Sequence, residues 1–324
     1  MTTEQSRPAE SLKLFTHGII DYAGLFPPAS LELAQAFHNF VYYAQAEYSW
    51  MLGKFIIPAR RLNELAVLAA DMEIAQFIPL SVIGTGGSTA SEFETAFNND
   101  LSMINDFLQV HGDIFSVDAY ETRLPADVFE KETNSELAEL MKLVSGGLER
   151  TLAKPTPVFF EAPVPEDHEP AIIRAVESIA SINKGCGFKL RTGGTEPKAF
   201  PAPEVIAFSI MTCCEFGVPM KCTAGLHHPV RHYNEEVQAE MHGFLNVFAA
   251  GILAYTENLD EAELVEVLTD DDPFGFEFGE EGLVYNDMNI SNEDIRRSRE
   301  EFMLSYGSCS FDEPIEDLKT LELF

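Results

Sequence analysis

Two short apolar runs, close together in the chain, constrain the fold more than any other part of the sequence. The first ends in KLRTGG, which begins at Lys189, and the second ends in KCTAG, which begins at Lys221. An apolar-periodic segment of helix length, 204–216, separates them, and this order is typical of the βαβ unit of a parallel sheet. Side chains two apart on a strand point to the same side, as Arg191 does with Lys189. We therefore predict that these cations converge at the carboxyl ends of neighbouring strands, where α/β folds bind ligands.

The same alternation of apolar runs and helical patterns extends over most of the chain. Before the two runs, further strands are predicted at about residues 19–20, 53–58, 77–83, 113–120 and 157–161. Strands that alternate with helices in this way predict an α/β fold, a (β/α)8 TIM-type barrel whose eighth strand is irregular. The alternative is a doubly wound open α/β sheet, but the glycine-rich fingerprint expected after its first strand is absent.

The chain is interpreted as one domain. Residues 1–12 are predicted to be a flexible start, and 13–324 a single barrel domain with an acidic insertion near 257–300 and a C-terminal tail. Local patterns in the last third predict helices over 235–254 and 292–304 and a hairpin over 274–284.

The charge of the chain limits its partners. The formal net charge is −32, with 21 Lys and Arg residues against 53 Asp and Glu. An acidic surface repels phosphate backbones and anionic membranes, so we predict neither nucleic-acid nor membrane binding. No signal peptide and no apolar run of membrane-spanning length are recognised. The 5 cysteines have no framework spacing, which predicts reduced thiols and a cytoplasmic location. The sequence leaves open whether the chain forms a homo-oligomer.

Polar side chains are concentrated near the predicted strand ends. In so acidic a chain, grouped cations indicate a small anionic ligand, with or without a phosphate group. The predicted catalytic residues are Lys189, Lys221, Asp118, Glu161 and His227, and the predicted ligand-binding residues are Asp21, Arg60, Arg191, Thr192, Gly193, Gly194, Thr223, His228 and Asn246. A structural role stays open, since barrel interiors also contain satisfied ion pairs, for instance between Lys189 and Glu161.

Two neighbouring lysines suit a particular chemistry. Each destabilises the charged form of the other, so the pKa of one is expected to fall toward neutrality. A neutral amine attacks a carbonyl group and forms a Schiff base, which then acts as an electron sink. A nearby carboxylate can move the protons.

The lysine motifs resemble those of a known family. KLRTGG at Lys189 and KCTAG at Lys221 resemble the sixth- and seventh-strand motifs of deoxyribose-phosphate aldolase, a class I aldolase barrel, and IDYAGLFP at 20–27 is similar to its first-strand segment. The resemblance implies that Lys189 forms the Schiff base, that Lys221 tunes it and that Asp118 relays protons.

The sequence also departs from that family. Arg191 adds a cation to the first lysine motif. The phosphate-binding glycine-rich end of that family's eighth strand has only a weak counterpart here, GSCS at 307–310. TAGLHHP at 223–229 and GSCSFDEP at 307–314 are similar to a family of uncharacterised bacterial proteins, which implies no function.

The histidines provide an alternative. His227, His228 and His242 lie close in sequence and could bind a divalent metal such as zinc, although no HExxH spacing is present. No cofactor is otherwise predicted. The leading prediction is an enzyme that acts on a small anionic carbonyl compound by aldolase-, lyase- or isomerase-type chemistry. Two functions compete with it: a metal-dependent hydrolase or lyase, and a non-catalytic module that binds a small anion.

Overall fold

The computed structural model describes residues 7–324 except 71, 73, 75, 132, 164–167, 183, 184 and 258. Its strands, in chain order, are β1 (Ile20–Tyr22), β2 (Leu52–Pro58), β3 (Ile78–Ile83), β4 (Phe115–Arg123), β5 (Val158–Glu161), β6 (Cys186–Arg191), β7 (Met220–Thr223), β8 (His232–Asn234), β9 (Ala239–Met241), β10 (Phe276–Phe278), β11 (Gly282–Tyr285), β12 (Met288–Ser291) and β13 (Met303–Ser308).

Its helices are α1 (Glu10–Thr16), α2 (Leu33–Tyr43), α3 (Leu62–Ala70), α4 (Ala90–His111), α5 (Ser135–Thr151), α6 (Glu169–Ile182), α7 (Pro203–Phe216), α8 (Phe244–Thr256), α9 (Glu261–Thr269), α10 (Asn292–Glu301) and α11 (Asp312–Thr320). Residues 10–12 were predicted to belong to a flexible start. They instead open α1, where burial of Ser11 and Leu12 holds them against the protein.

The predicted barrel is confirmed. The closed sheet has the strand order β1-β13-β7-β6-β5-β4-β3-β2, and all of its pairings are parallel. The open-sheet alternative is therefore wrong, because β1 pairs with both β2 and β13. Each helix between consecutive strands covers the outside of the barrel, as parallel sheets require on steric grounds.

The eighth barrel strand, β13, begins where the sequence analysis expected the end of a helix. The N-cap of helix α10 is Ser291, whose side chain accepts a hydrogen bond from the backbone N–H of Asp294. The helix ends at Glu301, and the chain enters β13 at Met303. The strand pairs with β1 and β7, with one register shift between Met303 and Ser305. The expected irregularity is confined to this shift.

The long connection between β7 and β13 contains most of the differences from the sequence analysis. The predicted helix over 235–254 is instead the hairpin β8–β9 followed by α8. Two backbone N–H groups, of Glu236 and Val237, donate to the Asn234 side chain, and Gln238 has a φ of 56°, so the chain makes a tight turn that excludes a helix. The predicted hairpin over 274–284 exists as part of the antiparallel sheet β10-β11-β12.

Within the described residues, one helical stretch, Pro197–Phe216, is long and apolar enough to span a membrane, with a mean hydropathy of 1.2. It consists of a short 3-10 turn and α7. Helix α7 packs against α6, α8 and α9 in the outer layer of the barrel. Its apolar composition is therefore explained by contacts within the protein.

Alternation along β2 shows how the strands position the cavity. Ile56 points to the barrel interior and lines the cavity at its carboxyl end. Its neighbour Phe55 points outward, and its ring centroid lies 5.6 Å from that of Phe37 and 5.5 Å from that of Phe40, both on α2. Where a strand alternates in this way, the side chains of one parity form the site and those of the other pack the helices.

Candidate active site

A row of alternately charged side chains crosses the barrel interior. The Lys221 ammonium contacts the Asp21 carboxylate and lies 2.9 Å from Glu121 Oε1. On the other side of Glu121, Lys189 Nζ lies 3.0 Å from Oε2. Lys189 Nζ also lies 3.3 Å from Glu161 Oε2. Each ammonium is thus held between two carboxylates.

The register of the strands produces this order. Lys189 pairs with Lys221 across β6 and β7, and Glu161 pairs with Lys189 across β5 and β6. Asp21 comes from β1, two strands from β7, and Glu121 comes from β4, two strands from β6 in the closed sheet. Neighbouring lysines are tolerated because the Glu121 carboxylate reaches between them.

Asp21 is fixed by three further contacts. Its Oδ1 accepts a hydrogen bond from the backbone N–H of Lys54 at 2.7 Å, and its Oδ2 accepts one from the Ser305 hydroxyl at 2.8 Å. Lys54 also places its ammonium 3.5 Å from Oδ1. This approach requires glycine at position 53, since a Cβ on Gly53 would lie 2.3 Å from Asp21 Oδ1.

The electrostatics keep these groups ionised. Burial alone would raise the pKa of Asp21 and of Glu121, but the neighbouring lysines, with Lys221 foremost, lower the pKa of both below its ordinary value. Burial would likewise lower the pKa of Lys189 and Lys221, but the carboxylates raise it. The expected fall in a lysine pKa is therefore wrong for the unliganded protein. The reason is that Glu121 separates the two ammonium groups.

A cavity of about 240 Å³ opens above this row at the carboxyl end of the barrel. Lys189, Glu121 and Glu161 line it. Lys221 lies beneath, 1% exposed, and does not line the cavity. A ligand in this cavity therefore meets Lys189 rather than Lys221.

Part of the predicted ligand-binding set also lines the cavity, namely Arg191, Gly194 and Thr223. Arg191 is exposed, and its Nε donates to the backbone oxygen of Gly193 at 2.9 Å. This bond holds the guanidinium at the rim of the cavity, where it can meet an anionic group.

Thr192 and Gly193 support the loop from behind. The Thr192 hydroxyl donates to the backbone oxygen of Ala224 at 2.6 Å, which joins the loops after β6 and β7. A Cβ on Gly193 would lie 2.7 Å from the Cα of Gly225, so the close approach of these loops requires glycine. These two residues position the cavity wall.

Three predicted site residues lie elsewhere. Asp118 forms an ion pair with Lys154 at 2.5 Å, away from the cavity. Arg60 is exposed and does not line the cavity. Asn246 is buried, and its amide donates to the backbone oxygen of Val267 and accepts from the backbone N–H of Arg231. Its polar atoms are therefore committed to structural hydrogen bonds.

Glu121 is the site residue that the predicted set omits. The predicted fourth strand covers 113–120 and ends near Glu121, whereas β4 continues to Arg123. Glu121 and Asp118 are three apart, so they lie on opposite faces of a regular strand. The usable signal in the sequence is the position of Glu121 directly after the predicted fourth strand. In the structure the Ser81 hydroxyl on β3 donates to Glu121 Oε1 at 2.5 Å.

The three histidines of the metal hypothesis have separate partners. His227 Nδ1 lies 3.0 Å from Glu313 Oε2 and lines the cavity, whereas His228 Nδ1 lies 2.6 Å from Asp317 Oδ2 and does not. His242 is buried, with Nε2 2.8 Å from the Pro201 oxygen. In the part of the chain that the structure describes, no three His, Cys, Asp or Glu side chains are grouped as metal ligands would be.

No protein-family model matches the chain, and no curated protein does either. Similar solved structures include a deoxyribose-phosphate aldolase from Aeropyrum pernix, described as a unique tetramer, at 11% identity over 95% of this chain and 93% of that chain, with a TM-score of 0.49. A putative deoxyribose-phosphate aldolase from Toxoplasma gondii ME49 has 9% identity over 97% and 96%, with a TM-score of 0.47. The structure described as QR15, an aldolase, has 11% identity over 64% and 80%, with a TM-score of 0.43.

The family that the lysine motifs resemble is thus present among the structural neighbours. At these identities and scores, the likeness concerns the barrel alone.

Proposed function

We propose that the protein is an enzyme that forms a Schiff base between Lys189 and a small anionic carbonyl compound, for aldolase-, lyase- or isomerase-type chemistry. The observation that carries the proposal is that Lys189 lines the cavity between two carboxylates, those of Glu121 and Glu161. Imine formation needs an amine and a group that accepts and returns its proton.

The amine must first be deprotonated, because the adjacent carboxylates raise the pKa of Lys189. Glu161 is the proposed acceptor, since it lies 3.3 Å away and lines the cavity. Glu121 remains engaged with Lys221 and Ser81. The neutral amine then adds to the carbonyl carbon, and the former carbonyl oxygen takes protons by way of Glu161. This oxygen leaves as water while the C=N bond forms. The protonated imine accepts the electron pair of a bond that breaks at the neighbouring carbon.

Arg191 is the proposed contact for the anionic group of the substrate. The charges of both lysines are offset by carboxylates within the row, whereas Arg191 lies at the exposed rim. A guanidinium binds carboxylate and phosphate groups in a bidentate manner. The arrangement is compatible with either anion.

The test is borohydride trapping with a panel of small aldehydes, ketones and their phosphates, followed by intact mass measurement. The control is Lys189→Arg, which keeps a positive charge beside Glu121 and Glu161 but has no amine that forms an imine. We expect a stable adduct with the native chain and none with the variant. An equal adduct with the variant, or no adduct with any compound, would overturn the proposal.

A non-catalytic module that binds a small anion is the second candidate. It is favoured by the raised pKa of both lysines, as expected for structural ion pairs. This candidate predicts a ligand-dependent rise in Tm without trapping or turnover. A bound divalent metal such as zinc stays a prediction that metal analysis of untagged protein would test. Such a site would require His242 to leave Pro201.

A further inference from the structure

Cys309 follows the last barrel strand, and its thiol belongs to a second row of side chains. Cys309 Sγ lies 4.0 Å from His227 Nε2, and His227 Nδ1 lies 3.0 Å from Glu313 Oε2. A nucleophile, an imidazole and a carboxylate in this order form a recurring arrangement in enzymes. The carboxylate orients the imidazole and selects its tautomer, and the far nitrogen takes the proton of the nucleophile.

This second row can be reached by small molecules. Cys309 and His227 line the same cavity as Lys189. They also line an adjoining groove of about 660 Å³, which extends along Tyr43 to the β8–β9 hairpin. The thiol therefore lies where the cavity meets the groove, although the residue itself is only 8% exposed.

The charge of the imidazole favours the thiolate form. Burial would lower the pKa of His227, but its contacts with Cys309 and Glu313 raise the pKa to about 9. The imidazole is then a cation at neutral pH, and a cation beside a thiol stabilises the thiolate. Two more titratable groups face this row. They are Tyr22, near Cys309, and His228, near Glu313.

The other cysteines have different surroundings. Burial raises the pKa of Cys186 to about 11 and that of Cys222 to about 12, and it also raises the pKa of Cys213. Cys214 is partly exposed on α7, where its thiol donates to the Ala254 backbone oxygen. Cys214 is thus an internal reference for a thiol that has no imidazole partner.

We infer that Cys309 is a second covalent site of the cavity, a nucleophilic thiol activated by His227 and oriented by Glu313, which takes a small compound with an electrophilic carbonyl carbon. In the thiolate–imidazolium pair the proton of the thiol already lies on His227 Nε2, and the thiolate Sγ attacks the carbonyl carbon. The electron pair of the C=O bond moves to oxygen, which takes the proton back from Nε2. With an aldehyde the product is a thiohemiacetal, and the step needs neither Lys189 nor an oxidant.

The first test compares iodoacetamide labelling of Cys309 and Cys214 in the same molecules, measured by peptide mass. At pH 7 we expect Cys309 to react at least about tenfold faster, because the adjacent His227 cation stabilises a thiolate. His227→Asn should remove most of this difference. Glu313→Gln, at a half-exposed side chain that folding tolerates more easily, should reduce it in part. Equal labelling of the two cysteines, or rates that neither variant changes, would overturn the inference.

The second test uses propionaldehyde as the probe, in the Lys189→Arg background, where no imine can form at position 189. We expect the aldehyde to protect Cys309 from iodoacetamide while Cys214 labels as before. Absence of protection would contradict the carbonyl specificity. Because Lys189 is replaced here, this result is independent of borohydride trapping, and either proposal can fail alone.

Discussion

Lys189 and Lys221 lie side by side on β6 and β7, yet they face different parts of the barrel. Lys221 forms the floor with Asp21 and Glu121, and each of these three residues is at most 1% exposed. Lys189 forms the wall of the cavity, and one of its partners, Glu161, has a side chain that is 14% exposed. The two lysines are thus both held by carboxylates, but only Lys189 lines the cavity.

Replacement of the floor lysine should have the largest effect on stability. Lys221→Met leaves Asp21 and Glu121 as buried charges that have lost a partner, which typically costs about 3–5 kcal/mol. Lys189→Arg, which keeps the charge of the wall lysine, should cost clearly less. Urea denaturation of both variants tests this difference. A Lys221→Met protein as stable as the native chain would mean that the floor does not depend on its ion pairs.

Replacement of the wall carboxylate should slow the chemistry. Glu161→Gln cannot accept the proton of Lys189, so we expect the rate of imine trapping to fall by about 10²-fold, as for the loss of a general base. The stability should change less than in Lys221→Met, since Glu161 is partly exposed. The measurement is the time course of borohydride-trapped adduct by intact mass. An unchanged rate would assign the proton transfer to another group.

His227 should make stability depend on pH. Its pKa in the folded chain is raised to about 9, above the ordinary value of 6.5. The stability that it contributes is therefore complete below pH 6.5 and is lost as the pH rises through about 9. We expect the difference in unfolding free energy between the native chain and His227→Asn to shrink between pH 6.5 and 9.5. A difference that stays constant over this range would refute the raised pKa.

Replacement of Asp118 should have the smallest effect. Its ion pair with Lys154 is partly exposed, and such pairs contribute at most about 1 kcal/mol. Asp118→Asn should leave both the rate of imine trapping and the unfolding free energy near those of the native chain. A tenfold loss of trapping would restore the role that the family resemblance implied for Asp118.

The two-residue period of β-strands explains which contacts of the site could be predicted from the sequence. Lys189 and Lys221 were placed together because each ends an apolar run, and both runs belong to one βαβ unit. The pair between Lys189 and Glu161, predicted as an alternative, exists because their strands are neighbours. These contacts are local in the sheet, and the order of the chain determines them.

Contacts across the barrel and within loops could not be predicted in this way. Glu121 reaches the lysines from β4, which is not adjacent to β6 or β7. The register between β3 and β4 also shifts between Leu80 and Ser81. At this shift, the alternation of β4 residues between the barrel interior and the helices changes phase. The three histidines lie on loops, where no strand period predicts the direction of a side chain. Hydrogen bonds such as that of His228 with Asp317 determine it instead.

The most direct measurement is peptide mapping of the borohydride-reduced adduct formed by the native chain. We expect the adduct on Lys189 and an unmodified Lys221, because Lys189 alone of the two lines the cavity. An adduct on Lys221 would contradict the division between wall and floor. It would show that ligand binding opens the buried pair with Asp21.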